Sequence, residues 1–309
     1  MDEPTIPPSA ELTESAPSRH ILRWVFLGEH RLRVGWKVLL FVCLYQGLTL
    51  ATAPVLRHFI STKPTGPISP ALAMIRESWE VLLIFATTWV PARIERRSVL
   101  SFGYTGDGKL VRLVSGAAWG FVSLSVLIGA LWLSGSLVFD GYSLGGPAVW
   151  RYAIAWALVF VLVGILEESL LRGYLQYTLA QGVGFWWAAL LLSVTFALLH
   201  TRNNGESLFG LLAVGAGGMV FCLSLWYTKS LYWAVGFHAG WDWGQSYFYG
   251  TANSGWLMQG HLLAAHPTGN PLWSGGATGP EASLFLLPIL VLMAASMWMW
   301  WGKGKSAVW

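Results

Sequence analysis

The stretch GILEESLLRGYL, residues 164–175, places Glu167, Glu168 and Arg172 inside an otherwise apolar run that begins near Tyr152. A charged side chain in the hydrocarbon region of a bilayer is costly unless it finds a partner, so these residues mark a candidate functional site. On a helix, Glu168 and Arg172 are four residues apart and can pair on one face. Glu167 points about 100° away from Glu168 and stays available for chemistry.

A purely structural ion-pair cluster between helices is the alternative interpretation of this stretch. Such a cluster needs one carboxylate for its one arginine, and the second carboxylate has no role in it. The surplus acid therefore favours a functional site.

The composition is that of an integral membrane protein. Of the 309 residues, 55% are hydrophobic and 11% are charged, and the mean hydropathy is +0.54. Soluble domains usually carry about 25% charged residues. The net charge of +4 is no signal for nucleic-acid binding, because the basic residues flank apolar segments.

The apolar segments predict an all-α polytopic membrane protein, a bundle of about eight transmembrane helices around a polar intramembrane cavity. The predicted spans are, approximately, residues 36–55, 78–92, 112–133, 150–172, 185–200, 207–228, 230–249 and 283–301. This pattern divides the chain into a disordered cytoplasmic tail (1–18), an amphipathic segment with three spans (19–149), a core with the ionisable motifs (150–248), and a long polar loop with the last span (249–309).

The basic residues predict that both termini are cytoplasmic. With that orientation most of the 19 Lys and Arg residues lie in inside segments, including those within 19–37, 93–97 and 303–305. The 250–282 loop then lies outside, and it contains no Lys or Arg. The positive-inside rule therefore supports this orientation.

Two further polar positions lie at membrane depth. His200 ends the fifth predicted span, and His238 and Asp242 lie four residues apart on one face of the seventh. A single histidine at a span end is commonly just an interfacial hydrogen-bonding residue. A histidine and an aspartate one turn apart inside an apolar helix point more strongly to function, provided that the spans face one polar cavity.

These residue types support two kinds of chemistry. A carboxylate and an imidazole that converge on one water can act as a general base for amide hydrolysis, while a second histidine donates to the carbonyl oxygen as charge develops there. Glu and His are also zinc ligands, so a divalent metal site is the alternative. The HEXXH signature, a complete Walker A motif and the Rossmann glycine fingerprint are absent from the sequence.

Three motifs follow one another on successive apolar segments. They are EExxxR (Glu167, Glu168, Arg172), FxxxH (Phe196, His200) and HxxxD (His238, Asp242). Together they resemble the type II CAAX prenyl endopeptidase family, the CPBP or Abi group of membrane proteases, which also includes lysostaphin-resistance-protein-A-like and bacteriocin-immunity proteins. The resemblance covers residues 150–248, about a third of the chain, and Asp242 stands where the family has Asn or Asp.

The resemblance implies a role for each motif residue. The implied roles are water activation by Glu167 with His200, support by the pair Glu168 and Arg172, and oxyanion stabilisation by His238 with Asp242. Such proteases are regarded as glutamate-type, although metal dependence was long proposed for them. We expect no cofactor, because a water between Glu167 and His200 needs no metal; a divalent metal such as zinc is the alternative.

The resulting prediction is an intramembrane endopeptidase in a bacterial inner membrane. Its partners would be the lipid bilayer and a membrane-anchored protein or hydrophobic peptide, including prenylated CAAX-type substrates, and not nucleic acid. The alternative is a non-proteolytic membrane protein, either an immunity or scaffold factor or a transporter with a buried proton relay, because buried ionisable groups also mark ion and proton pathways. The complete motif set favours the enzyme.

Overall fold

The computed structural model describes residues 32–59 and 66–302, which are mainly helical. In chain order the helices are α1 (Val34–Phe59), α2 (Pro70–Ile94), α3 (Lys109–Leu133), α4 (Pro147–Glu168), α5 (Tyr174–Val183), α6 (Phe185–Leu199), α7 (Leu208–Thr228), α8 (Tyr232–Trp243), α9 (Pro271–Ser274) and α10 (Leu286–Trp301). The predicted tail (1–18), most of the amphipathic segment and the basic residues after Gly302 lie outside the described residues.

Five segments are long and apolar enough to cross a membrane. They are Val34–His58, Lys109–Leu133, Pro147–Val183, Phe185–Arg202 and Leu208–Thr228. Large apolar side chains on these segments are exposed, as at Leu50 and Leu133, which are 72% and 80% accessible. So much exposed apolar surface suits contact with lipid tails rather than with water, and the protein is an integral membrane protein.

The three other predicted spans have a different character. Helix α2 has 25 residues but carries charged side chains such as Arg76, Glu77 and Glu80. Helix α8 has 12 residues, and α10 is apolar but has 16. By length and composition the described residues support five spans, and the count of about eight stays a prediction.

The region after α8, which was predicted to be a polar loop, contains a β-strand. The all-α prediction is wrong in this respect. Leu263–Pro267 (β2) pairs antiparallel with Leu137–Tyr142 (β1), which lies between α3 and α4. Strands of five or six residues bury too little surface to leave a clear period beside long apolar helices, so the sequence pattern did not reveal them. The sheet connects the 250–282 region to the segment that precedes α4, the helix that carries Glu167 and Glu168.

Two glycine pairs bring α3 and α8 into backbone contact. Gly116 and Gly120 of α3 face backbone atoms of α8, and Gly236 and Gly240 of α8 face backbone atoms of α3, so that a Cβ at any of the four would collide with the partner helix. Small residues at this spacing allow close helix approach in membranes. His238 lies between Gly236 and Gly240 in sequence and therefore projects from the side of α8 that faces away from α3.

A buried ion pair connects the first helices to the core. Lys37 Nζ lies 3.1 Å from Glu95 Oε1, and the Tyr174 hydroxyl donates to the same oxygen at 2.9 Å. These three residues join α1, the end of α2 and α5. The contact helps to hold α1 and α2 beside the helix that carries the first motif.

Candidate active site

A π-helical turn follows the two glutamates of the EExxxR motif, and a second one follows the HxxxD motif. Glu167 and Glu168 are the last residues of α4, and the turn Ser169–Gly173 carries Arg172. A second such turn, Gly244–Phe248, begins directly after α8, two residues beyond Asp242. Single π-helical turns occur often at functional sites, where the extra residue redirects side chains.

Glu168 and Arg172 form the ion pair that their spacing predicts. Arg172 Nη1 lies 3.4 Å from Glu168 Oε1, and both side chains are fully buried. The guanidinium also lies over the rings of Phe196 and Phe221, at 4.6 Å and 5.4 Å from their centroids. The arginine thus supplies a buried positive charge beside an apolar wall.

His238 contacts three carboxylates. Its Nδ1 lies 3.3 Å from Glu168 Oε1, and its Nε2 lies 3.5 Å from both Glu167 Oε2 and Asp242 Oδ2. The predicted pair with Asp242 is therefore part of a larger cluster that joins the first and third motifs. The imidazole stacks on the Phe221 ring, with centroids 5.6 Å apart, which restricts its orientation.

His200 is held by the backbone of its own helix. Its Nδ1 lies 2.8 Å from the Phe196 carbonyl oxygen, just before the 3-10 turn that follows α6. A carbonyl oxygen can only accept a hydrogen bond, so this Nδ1 carries the hydrogen and the neutral ring presents Nε2 as an acceptor.

One cavity brings the predicted residues together. It has a volume of about 380 Å³, and its wall includes Glu167, His200, His238 and Asp242. We call it the active cavity. The Glu167 side chain is 30% accessible, which is more than that of Glu168 or Asp242, so it is the carboxylate of this cluster that a water or a substrate in the cavity can best reach.

The active cavity also contains residues that the sequence analysis did not select. Tyr45, Arg76 and Glu77 line it from α1 and α2, and Asn253 and Ser254 line it from the loop after α8. Glu77 was missed because the predicted span began near residue 78, whereas α2 begins at Pro70 and includes Glu77. Asn253 and Ser254 are ordinary loop residues and carry no signal that could have selected them.

Residues 141–145, GYSLG, match the GXSXG motif that surrounds many nucleophilic serines. Ser143 follows β1, is exposed, and donates its backbone N–H to the Leu262 carbonyl oxygen at 2.8 Å. It does not line the active cavity. This pattern is separate from the candidate site.

Over residues 32–59 and 66–302, no group of three or more His, Cys, Asp and Glu side chains is placed to hold a metal ion. The buried carboxylates instead contact His238 and Arg172. Their arrangement suits hydrogen bonding and proton transfer.

The apolar helices define an integral membrane protein, and the ionisable cluster lines a polar cavity between its helices. Residues 149–244, about a third of the chain, match the family model of type II CAAX prenyl endopeptidase Rce1-like proteins. The match confirms the family resemblance carried by the three motifs, and the family implies a protease. No curated protein matches the chain.

Proposed function

We propose that this protein is an intramembrane endopeptidase that hydrolyses a peptide bond with a water activated by Glu167 and His200. The observation that carries the proposal is the convergence of Glu167, His200, His238 and Asp242 on the active cavity. These side chains come from α4, the end of α6 and α8. A volume of about 380 Å³ holds a water together with part of an extended peptide.

The geometry supports a stepwise hydrolysis. Glu167 accepts a proton from the water, with His200 Nε2 as a second acceptor, and the water oxygen attacks the scissile carbonyl carbon. The tetrahedral intermediate collapses as the proton passes to the amide nitrogen and the C–N bond breaks. Glu167 lines the cavity and has the most accessible carboxylate of the cluster, so it is the acid best placed to receive the proton.

His238 fits the role of oxyanion stabiliser. Its Nδ1 is within hydrogen-bonding distance of Glu168 Oε1 and its ring stacks on Phe221, so Nε2, which lies 3.5 Å from Asp242 Oδ2, is the nitrogen that would donate to the oxyanion. A fixed donor that needs no reorganisation is worth roughly 3–4 kcal/mol of transition-state stabilisation in such sites. Glu168 and Arg172 then act through His238 by holding its orientation.

The wider setting is part of the same proposal. The chain would cross a bacterial inner membrane about eight times with both termini in the cytoplasm, and it would act without a metal on a membrane-anchored protein or hydrophobic peptide. Prenylated CAAX ends belong to this substrate class. The proton-relay and scaffold alternatives use the same buried groups but yield no peptide product.

The test uses purified protein in mild detergent with two fluorogenic peptides, one prenylated with a CAAX end and one apolar without a prenyl group. Wild type, wild type with a chelator, Glu167→Gln and His200→Ala are compared. Asp140→Asn is the matched control, because Asp140 is an exposed acid on β1. Folding of each variant is checked by its thermal unfolding.

We expect cleavage by wild type and Asp140→Asn, with or without chelator, and none by Glu167→Gln or His200→Ala. Retained cleavage in both site variants would contradict the assignment of the water-activating pair. Loss of cleavage with chelator would overturn the metal-free mechanism alone. Flux of an ion or solute in sealed liposomes without any peptide product would favour the transporter.

A further inference from the structure

Another cavity lies where α3 begins and α10 ends. It has a volume of about 340 Å³, within the usual range of small-ligand sites. We call it the α3–α10 cavity; α7 and α8 also contribute to its wall. Among the residues that the structure describes, none lines both this cavity and the active cavity. The proposed hydrolysis therefore makes no use of it.

The polar end of the α3–α10 cavity contains Arg112. Its Nη1 donates to the Thr228 carbonyl oxygen at 2.9 Å, which holds the guanidinium at the end of α7. Over residues 32–59 and 66–302, no carboxylate forms an ion pair with Arg112. An arginine has five N–H donors, so further hydrogens remain for a ligand. This end of the cavity thus presents a positive charge that an anionic group can neutralise.

The remaining wall is apolar and aromatic. Trp119 lies on the same helix as Arg112, about 10 Å further along the axis by the helical rise, and lines the cavity opposite Met293 and Met297 of α10. The wall therefore changes from charged to apolar along one direction. Aromatic rings from the end of α7, the start of α8 and the end of α10 complete it, namely Tyr227, Trp233, Trp300 and Trp301.

The polar end of the cavity lies at a membrane boundary. Arg112 is in the first turn of the apolar segment Lys109–Leu133, and Trp300 and Trp301 are the last residues of α10. Trp and Tyr are enriched where a span meets the headgroups. In the proposed orientation this boundary is the cytoplasmic leaflet, which carries anionic lipids that attract basic residues. A soluble anion would use the arginine but would leave the apolar wall without a ligand.

We propose that the α3–α10 cavity binds an anionic phospholipid, whose phosphate contacts Arg112 and whose acyl chain lies against Trp119 and Met297. Hydrogen bonds between arginine and phosphate are charge-assisted and therefore stronger than neutral ones. Helix α10 has 16 residues and is about 24 Å long, shorter than a hydrocarbon core of roughly 30 Å. A lipid that contacts both α3 and α10 therefore helps to hold this short helix in the bundle.

The first measurement is the change in unfolding temperature when lipid is added to wild-type protein that has been stripped of native lipid in a fixed detergent. Phosphatidylglycerol is compared with phosphatidylcholine, which carries no net charge, and with glycerol phosphate, which has no acyl chains. We expect phosphatidylglycerol to raise the unfolding temperature more than either. An equal rise with phosphatidylcholine would overturn the anionic selectivity, and an equal rise with glycerol phosphate would overturn the lipid as the ligand.

The second comparison uses Arg112→Gln. Loss of a charge-assisted hydrogen bond should raise the apparent Kd for phosphatidylglycerol about 10-fold or more. Arg151→Gln is the matched control, because Arg151 is an exposed arginine near the start of α4 and does not line the cavity. Each variant is referred to its own unfolding temperature without lipid, since Arg112→Gln also loses the bond to Thr228. The same Kd in Arg112→Gln and wild type would contradict the proposal.

A third measurement needs no variant. Phosphatidylglycerol with a diazirine in its acyl chain is photo-crosslinked to the wild-type protein, and the labelled residues are identified by mass spectrometry. We expect labels near Trp119, Met293 and Met297, which unlabelled phosphatidylglycerol removes and phosphatidylcholine does not. Labels spread over the lipid-facing sides of all spans, or confined to other helices, would overturn the proposal. These outcomes leave the peptidase function untouched, because its test is cleavage.

Discussion

Glu168 Oε1 lies 3.3 Å from His238 Nδ1, so the second acid of the first motif contacts the histidine of the third. The same oxygen lies 3.4 Å from Arg172 Nη1. One carboxylate oxygen thus connects a buried arginine on one side with the imidazole on the other. The supporting pair and the histidine form one electrostatic unit.

This contact predicts that Glu168 and His238 are energetically coupled. In a double-mutant cycle with Glu168→Gln and His238→Gln, we expect a coupling energy of about 0.5–3 kcal/mol in the free energy of unfolding. The measurement is denaturant unfolding in a fixed detergent. The control cycle pairs Glu168→Gln with Asp140→Asn, which should be additive to about 0.5 kcal/mol. Equal coupling energies in both cycles would show that the contact between Glu168 and His238 makes no specific contribution to the free energy of unfolding.

Arg172→Ala should lower stability rather than remove catalysis selectively. The change leaves Glu168 buried without its positive partner, which costs about 3–5 kcal/mol. We expect poor expression and a lower unfolding temperature. Arg172→Lys keeps the charge but loses the planar contact with Phe196, and it should recover part of the loss. Normal expression and stability of Arg172→Ala would speak against the pair.

The glycine contact between α3 and α8 should be sensitive to a single methyl group. In Gly240→Ala the new Cβ would meet the backbone of Ala117, and overpacking of this kind costs about 1–3 kcal/mol. The control Gly129→Ala has open space and should be neutral or slightly stabilising. Thermal unfolding of both variants checks this. An unfolding temperature for Gly240→Ala at or above that of Gly129→Ala would mean that the helices are less closely packed.

Glu281 should make stability depend on pH. It lies in the turn before α10, and burial raises the pKa of Glu281 from 4.5 to about 8. Between pH 4.5 and about pH 8, Glu281 holds a proton in the folded chain and has lost it in the unfolded chain. The stability that Glu281 contributes through this proton is therefore fully present below pH 4.5 and is lost as the pH rises to about 8.

The check compares thermal unfolding of wild type and Glu281→Gln from pH 5 to pH 8.5. Glutamine does not titrate, so the variant should lose less stability than wild type as the pH rises. Parallel profiles for the two proteins would show that Glu281 does not bind the extra proton. The carboxyl group accepts hydrogen bonds from the Ser254 backbone and the Gln245 side chain, so the variant also reports on the loop that borders the active cavity.

Several features were predictable because they depend on residues close together in sequence. The pairing of Glu168 with Arg172 follows from a four-residue spacing on one helix, and the membrane class follows from composition alone. Five of the predicted spans agree with apolar helices of sufficient length. The β1–β2 sheet was not predictable, since its two strands lie more than a hundred residues apart in sequence and each is short.

The sequence by itself determined that the chain lies in a membrane, which ionisable residues are costly to bury there, and which family their motifs resemble. Only the tertiary structure decided that His238 contacts Glu167 and Glu168 as well as Asp242, and that α10 encloses a cavity together with the start of α3. The physical reason is that burial cost and helical spacing are local properties of a segment. A shared cavity is formed by the packing of helices that are distant in the chain, and no single segment records it.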